Sequence, residues 1–217
     1  MAEGRAERLI EAAIAAFELD LAGLTVFTEA ATGPYAFVPV LAARAGARVF
    51  ALATDSAFGA ARQIADDTIG LARRFGVGER VSVVTERLHP ALGECDVVTN
   101  TGPIRPIDAA LIARLRPTAV VPLMWETWEW RPEEVDLAAC RARDVLVLGT
   151  DESAPAVAFG GYLGALAIER LFAAGLEGYK SRVLLLGAGL ARPMAATLRA
   201  VGAEVDWFAD GEPGAIA

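Results

Sequence analysis

The sequence predicts an α/β fold: a doubly wound parallel sheet, followed by a connecting helix and an incomplete second βαβ unit. Three observations predict it. Six short runs, residues 24–28, 48–54, 81–85, 96–100, 119–124 and 145–150, are rich in apolar side chains, several at nearly every position. Strands buried on both faces of a parallel sheet read this way. Helical patterns lie between them at 35–45, 57–75, 108–115 and 133–143, joined by connections of a few residues, so right-handed crossovers place helices on both faces. After Thr150 the pattern changes to a long helical run at 156–174, a strand at 182–187, a helix at 193–201 and a strand at 204–208. A domain boundary near Ala154 is expected, giving domains of residues 1–153 and 154–217.

The first 21 residues form an amphipathic helix that mixes acids and bases. They lack the charged-then-apolar layout of a signal peptide. Gly46 and Gly76 sit just past helical patterns, where a left-handed backbone is often required. Asp108 is expected to cap the helix after Ile107. Pro132 with Glu133 and Glu134 is expected to open the next helix, with acids at its positive end.

Composition removes several functions. Hydrophobic residues make up 54% and charged residues 22%, so the chain is not disordered. The net charge of −8 disfavours nucleic acid as a partner. The single histidine, His89, removes His-rich metal sites, and no metal centre is expected. The two cysteines, Cys95 and Cys140, have no paired spacing and suit a reducing cytoplasm. The apolar run 155–174 is broken by glycines and by Glu169 and Arg170. It reads as a buried helix and not as a membrane span.

The most informative motif follows the strand that begins near Arg182. The sequence Gly187-Ala188-Gly189-Leu190-Ala191-Arg192 leads into a helix, and the next strand ends near Asp210. This is the layout of a dinucleotide-binding βαβ unit. Gly187 permits the tight turn, and Gly189 lets the backbone approach a pyrophosphate facing free helix N–H groups. Asp210 is the candidate acceptor for the ribose hydroxyls, ahead of Asp206. The third glycine position holds Arg192, which either widens the helix–strand contact or reaches the phosphate. The alternative is that the two glycines only make a strand-to-helix turn.

In open α/β sheets ligands sit outside the carboxyl ends of the strands. Those ends carry Thr28-Glu29, Thr54-Asp55, Thr85-Glu86, Thr99-Asn100-Thr101-Gly102, Trp125-Glu126 and Thr150-Asp151-Glu152. Together they form a polar rim suited to a small polar or cationic substrate. Glu29 and Glu126 are the candidate acid–base residues. Asn100, Thr101 and Trp125 are the candidate substrate-binding residues. The alternatives stay open: polar loops, an Asx turn before Pro103, and packing or an interface for the Trp125–Trp130 segment. Thr32-Gly33-Pro34-Tyr35 reads as a plain turn before an anion site.

Residues 135–150, the long helix and residues 183–210 resemble the D-2-hydroxyacid dehydrogenase family and the related S-adenosylhomocysteine hydrolases, both of the Rossmann superfamily. The resemblance covers roughly residues 111–210. It implies a flavodoxin/Rossmann-like substrate domain, a connecting helix and a cofactor domain that binds NAD or NADP. It also implies hydride transfer to or from a small hydroxy or keto metabolite. The family's catalytic Arg, acid and His lie in later parts of the cofactor domain, which this sequence does not reach. A fragment or short form lacking the catalytic residues is therefore expected. Trp125-Glu126-Thr127-Trp128-Glu129-Trp130 replaces the family's Gly-rich loop, and Arg192 departs from its third glycine.

The expected protein is a cytoplasmic, homo-oligomeric, NAD(P)-binding oxidoreductase type that takes a small-molecule metabolite, with neither nucleic acid nor membrane as partner. The rival readings are a non-catalytic nucleotide- or metabolite-binding or oligomerisation module and an S-adenosylmethionine- or S-adenosylhomocysteine-linked enzyme.

Overall fold

The computed structural model describes residues 3–152, 154, 156–157, 159–187 and 191–208. The chain divides into two compact units, Met1–Asp151 and Glu152–Ala217.

The first unit is built on a six-stranded parallel sheet: β1 (Thr25–Glu29), β2 (Arg48–Leu52), β3 (Val81–Val84), β4 (Val97–Val98), β5 (Val120–Pro122) and β6 (Leu146–Leu148). The spatial order is β3-β2-β1-β4-β5-β6. The chain therefore winds outward in one direction from β1, then returns and winds the other way from β4. A crevice opens at such a reversal, above the carboxyl ends of the two central strands.

The alternation of side chains shows why both faces are covered. Successive strand residues point to opposite faces. Val26, Val49 and Ala51 enter one core, with Ala6 and Ile10 of α1 (Glu3–Ala16), Val40 of α2 (Val38–Arg44) and Ile64 of α3 (Ala61–Arg74). Phe27, Phe50 and Leu52 enter the other. There they meet Leu111 and Ile112 of α4 (Ala109–Ile112) and Cys140 of α5 (Leu137–Ala142). Phe27 and Leu52 are fully buried.

Local signals set several boundaries. Asp108 caps α4 by accepting the Leu111 N–H at 2.9 Å. Arg87 also reaches this carboxylate, at 2.9 Å. Burial opposes its ionisation, but the Leu111 N–H, Arg87 and the Ala110 N–H together hold it below the usual aspartate value. Gly46 and Gly76 close their helices with φ of 105° and 71°.

Most expected elements come out shorter than their sequence patterns, and in two the neighbouring contacts are plain. The helix expected over 133–143 begins only at Leu137, capped by Asp136, whose side chain accepts the Ala139 N–H. Pro132, Glu133 and Glu134 do not open it. Val135 instead pairs with Ile107, and Ile107 N–H donates to Glu134 O at 2.8 Å. The strand expected over 96–100 keeps only Val97–Val98, and beyond it the Asn100 side-chain oxygen accepts the Met124 N–H at 2.8 Å.

The second unit comprises α6 (Gly160–Ala173), β7 (Arg182–Leu186), α7 (Ala191–Ala200) and β8 (Glu204–Phe208). Strands β7 and β8 are parallel, paired from Arg182↔Glu204 to Leu186↔Phe208. Helices α6 and α7 approach closely where Gly164 faces Thr197 and Gly160 faces Pro193. Leu184 and Leu186 of β7 are exposed, at 49% and 74%. Among the described residues no helix is long and apolar enough to cross a membrane.

Candidate functional site

A cavity of about 680 Å³ opens in the first unit beyond the carboxyl ends of β1, β2, β4 and β5. Its walls are largely apolar, with Pro34, Phe58, Ile64, Pro103 and Met124 among them. Polar atoms come from Glu29, Thr32, Thr54, Thr101 and Arg105. A largely apolar cleft with a few convergent polar groups is the usual form of a small-molecule site.

Glu29 is the last residue of β1 and only 5% exposed, yet it lines this cavity. Burial pushes its carboxyl above the ordinary value of 4.5. The Thr101 hydroxyl and the Arg105 guanidinium pull the other way and only partly offset burial. The carboxyl fits here because residue 102 is glycine. A Cβ on Gly102 would run into Oε2 of Glu29 and lie 3.1 Å from its Cδ, and the backbone there has φ of 37°.

Behind Glu29, Thr28 of β1 faces Thr99, the residue after β4. Thr28 Oγ1 lies 2.9 Å from Thr99 Oγ1, and Thr99 Oγ1 lies 2.9 Å from Thr101 Oγ1. Thr28 is fully buried.

Arg105 is held in place from two sides. Its guanidinium pairs with Glu134 at 3.0 Å and sits 5.5 Å from the centre of a Trp125 ring. Arg131 covers the same indole at 5.6 Å and reaches Glu134 at 3.2 Å. Burial works against ionisation of Glu134, but the two arginines overcome it and hold its carboxyl below the usual glutamate value.

Of the five sequence candidates in this unit, the cavity lining contains Glu29 and Thr101 and does not contain Asn100, Trp125 or Glu126. Asn100 is fully buried with Nδ2 lacking a partner, and Trp125 is 9% exposed with Nε1 likewise unpaired, among the described residues. Glu126 precedes a short 3-10 turn, Thr127–Glu129. Arg105 is a site residue that the sequence did not point to, and Thr28, Thr99 and Gly102 were expected only as members of the polar strand-end rim. Thr32-Gly33-Pro34-Tyr35 lines the cavity and runs into a 3-10 turn, Gly33–Phe37, with Gly33 at φ of 62°.

In the second unit Gly187 follows β7 with φ of 140°. Its carbonyl accepts the Trp207 Nε1–H at 2.7 Å, and its N–H donates to Phe208 O at 3.0 Å. A Cβ on Gly187 would meet nothing within 4 Å among the described residues. Arg192 is exposed and lies 5.9 Å from the centre of the Trp207 ring. Gly189 and Asp210 fall outside the described residues. Asp206 pairs with Arg182 at 2.9 Å.

The histidine is hydrogen-bonded and both cysteines are buried. His89 Nδ1 accepts the Ala91 N–H at 3.2 Å. Burial pushes the Cys95 thiol up to about 12 and the Cys140 thiol to about 11. Among the described residues no three His, Cys, Asp or Glu side chains cluster as a metal site.

No family model matches the chain, and no curated protein matches it. Solved structures do. A dipicolinate synthase from Bacillus subtilis shares 12% identity, with a TM-score of 0.53 over 88% of this chain and 62% of that one. The dipicolinate synthase from Bacillus halodurans shares 19% identity, with a TM-score of 0.50 over 77% of this chain and 53% of that one. A shikimate dehydrogenase from Aquifex aeolicus aligns at a TM-score of 0.41 and 16% identity, over 76% of this chain and 53% of that one. The chain thus spans 62% and 53% of the length of the two dipicolinate synthase chains. The likeness to the two dipicolinate synthase chains establishes the architecture alone, and the six-stranded parallel unit has a Rossmann-like α/β fold.

Proposed function

We propose that this chain is of the NAD(P)-linked oxidoreductase type and acts on a small polar hydroxy or keto metabolite. The observation that carries the reading is the β7–Gly187–α7–β8 unit: two parallel strands, with a glycine at φ of 140° between the first strand and its helix. The residues present fit a dinucleotide. The space beside Gly187 is open to 4 Å among the described residues, and Arg192 supplies an exposed cation on the first turn of α7. Gly187, Gly189 and Arg192 would hold the pyrophosphate and Asp210 the ribose. The nicotinamide, when bound, supplies or accepts the hydride.

The metabolite is assigned to the cavity of the first unit. Arg105 attracts its anionic group, Glu29 hydrogen-bonds one of its oxygen atoms, and Thr101 keeps a binding role as acceptor for a hydroxyl of the metabolite. Glu29 is the acid–base candidate with support from geometry, because it is buried and still lines the cavity. Asn100 and Trp125 keep a proposed binding role, since each holds a buried donor without a partner among the described residues. Glu126 stays a proposed acid or base on the loop after β5. A homo-oligomer in the cytoplasm remains part of the proposal, supported by the exposed Leu184 and Leu186.

Calorimetric titration of the whole chain with NAD, NADH, NADP and NADPH tests the reading. One nicotinamide dinucleotide should bind, and Gly187→Val should weaken it at least tenfold. Binding of S-adenosylmethionine or S-adenosylhomocysteine alone would transfer the chain to the rival class. Silence with every nucleotide would remove the oxidoreductase reading.

A further inference from the structure

The cavity holds a carboxyl group whose surroundings fix where its proton can sit. Thr28, Thr99 and Thr101 are linked hydroxyl to hydroxyl at 2.9 Å and 2.9 Å, and the Thr101 hydroxyl favours the ionised form of the Glu29 carboxyl beside it. Each hydroxyl has one proton to give and lone pairs to receive. Such a chain can run in two directions. If Glu29 donates to Thr101, the protons point inward, and the last one belongs to Thr28. That residue is fully buried, and no further acceptor for its hydroxyl is found among the described residues. If Thr28 donates to Thr99, Thr99 to Thr101 and Thr101 to Glu29, every hydroxyl proton is used. Buried donors avoid being left unpaired, which makes Thr28 the donor to Thr99, and the second direction is the one that also uses the protons of Thr99 and Thr101.

We propose that Thr28, Thr99 and Thr101 form a one-way hydroxyl chain that clamps one oxygen of Glu29, so that its acid proton is carried by the other oxygen and offered to a carbonyl oxygen of the molecule bound in the cavity. This rests on the cavity being the metabolite site. The threonines are positioning residues. They do not relay a proton, because nothing beyond Thr28 supplies one. When Glu29 has given its proton to the ligand oxygen, the Thr101 hydroxyl already faces the resulting carboxylate, and the lost proton returns from solvent through the cavity mouth. Gly102 completes the clamp by leaving room for Oε2.

The clamp makes the charge state of Glu29 depend on hydroxyls that do not touch it. The titratable groups lining the cavity among the described residues are Glu29 itself, Arg105 from the loop after β4 and Tyr35 from the 3-10 turn after β1. Arg105 acts directly on Glu29, whereas Thr28 reaches it only through Thr99 and Thr101. Hydrogen-bonded chains polarise one another, so a break at the far end should be felt at the carboxyl.

The test is a pH titration of the whole chain carrying 13C at the glutamate carboxyl carbons, read by NMR, with Glu29 assigned through Glu29→Gln. Neither nucleotide nor substrate is added, so this measurement can fail while dinucleotide binding stands, and the reverse. Glu29 should titrate above the ordinary glutamate range. Thr101→Val should move it further up, because the anion loses its donor. Thr99→Val and Thr28→Val should move it up by progressively smaller amounts, and Thr101→Ser should restore the wild-type curve. A downward shift in Thr101→Val overturns the assigned direction. Unchanged curves in both Thr99→Val and Thr28→Val overturn the chain.

Discussion

Gly102→Ala puts a number on the contact between the β4 loop and Glu29. Two costs arise. The backbone at residue 102 has φ of 37°, in the left-handed region where a Cβ is strained, by roughly 1–2 kcal/mol. The new methyl also overlaps Oε2 of Glu29 and comes within 3.1 Å of its Cδ. Glu29 is 5% exposed and tied to Thr101, so it must leave its rotamer or lift the loop, at a further cost of about 1–2 kcal/mol. The expected loss is therefore about 2–4 kcal/mol. Urea unfolding in a Trp207→Phe background would read it, because the remaining indoles, Trp125, Trp128 and Trp130, all lie in the first unit. A double-mutant cycle separates the two costs. Glu29→Ala removes Oε2 and Cδ and leaves its Cβ at an ordinary 3.7 Å. The double variant should recover about 1–2 kcal/mol relative to the sum of the singles, with only the backbone strain remaining. Strict additivity would refute the account of why this position is glycine.

Three further outcomes follow from the titratable groups. At pH 8 the native thiolate fraction should fall below that of an ordinary thiol by roughly a thousandfold for Cys95 and a hundredfold for Cys140, so iodoacetamide should label both far more slowly in the folded chain than in urea, as mass spectrometry can follow. The folded-state value of Glu29 lies above its unfolded value, so its contribution is complete below the unfolded value and is lost as pH rises through the folded one. Glu29→Gln cannot ionise, and its urea midpoint relative to wild type should rise as pH increases from the unfolded value and level off once the folded value is passed. Asp108 behaves oppositely, because its folded value is depressed. Asp108→Ala should cost about 1 kcal/mol at neutral pH through the lost cap, and the difference should shrink as pH falls through and below the unfolded value of 3.8.

The sheet was legible because its strands carry their own instructions. In β2, Val49 and Ala51 face one core and Phe50 and Leu52 the other, and an unbroken apolar run has no other comfortable place. Helix ends were legible where one side chain decides them, as at Asp108. They were not legible where a distant partner intervenes. Pro132-Glu133-Glu134 has the composition of a helix start, but the backbone there is engaged by Ile107. Tertiary pairing overrode local preference, and the next available cap, Asp136, took over.

The site divides along the same line. Glu29 and Thr101 could be picked out as polar residues closing apolar strands, and both line the cavity. The link between them could not, because it needs strand order. Thr28 and Thr99 are 71 residues apart and meet only because β1 pairs with β4, Val26 beside Val97 and Phe27 beside Val98. Continued by one residue, that register brings the two hydroxyls together. The pairing is itself the reversal point of the sheet, where the crossovers part and the crevice opens. One topological event therefore creates the space for a ligand and aligns the threonines that orient Glu29 toward it. A chain with the same strand-end residues but β1 and β4 separated would keep a polar rim and lose the clamp.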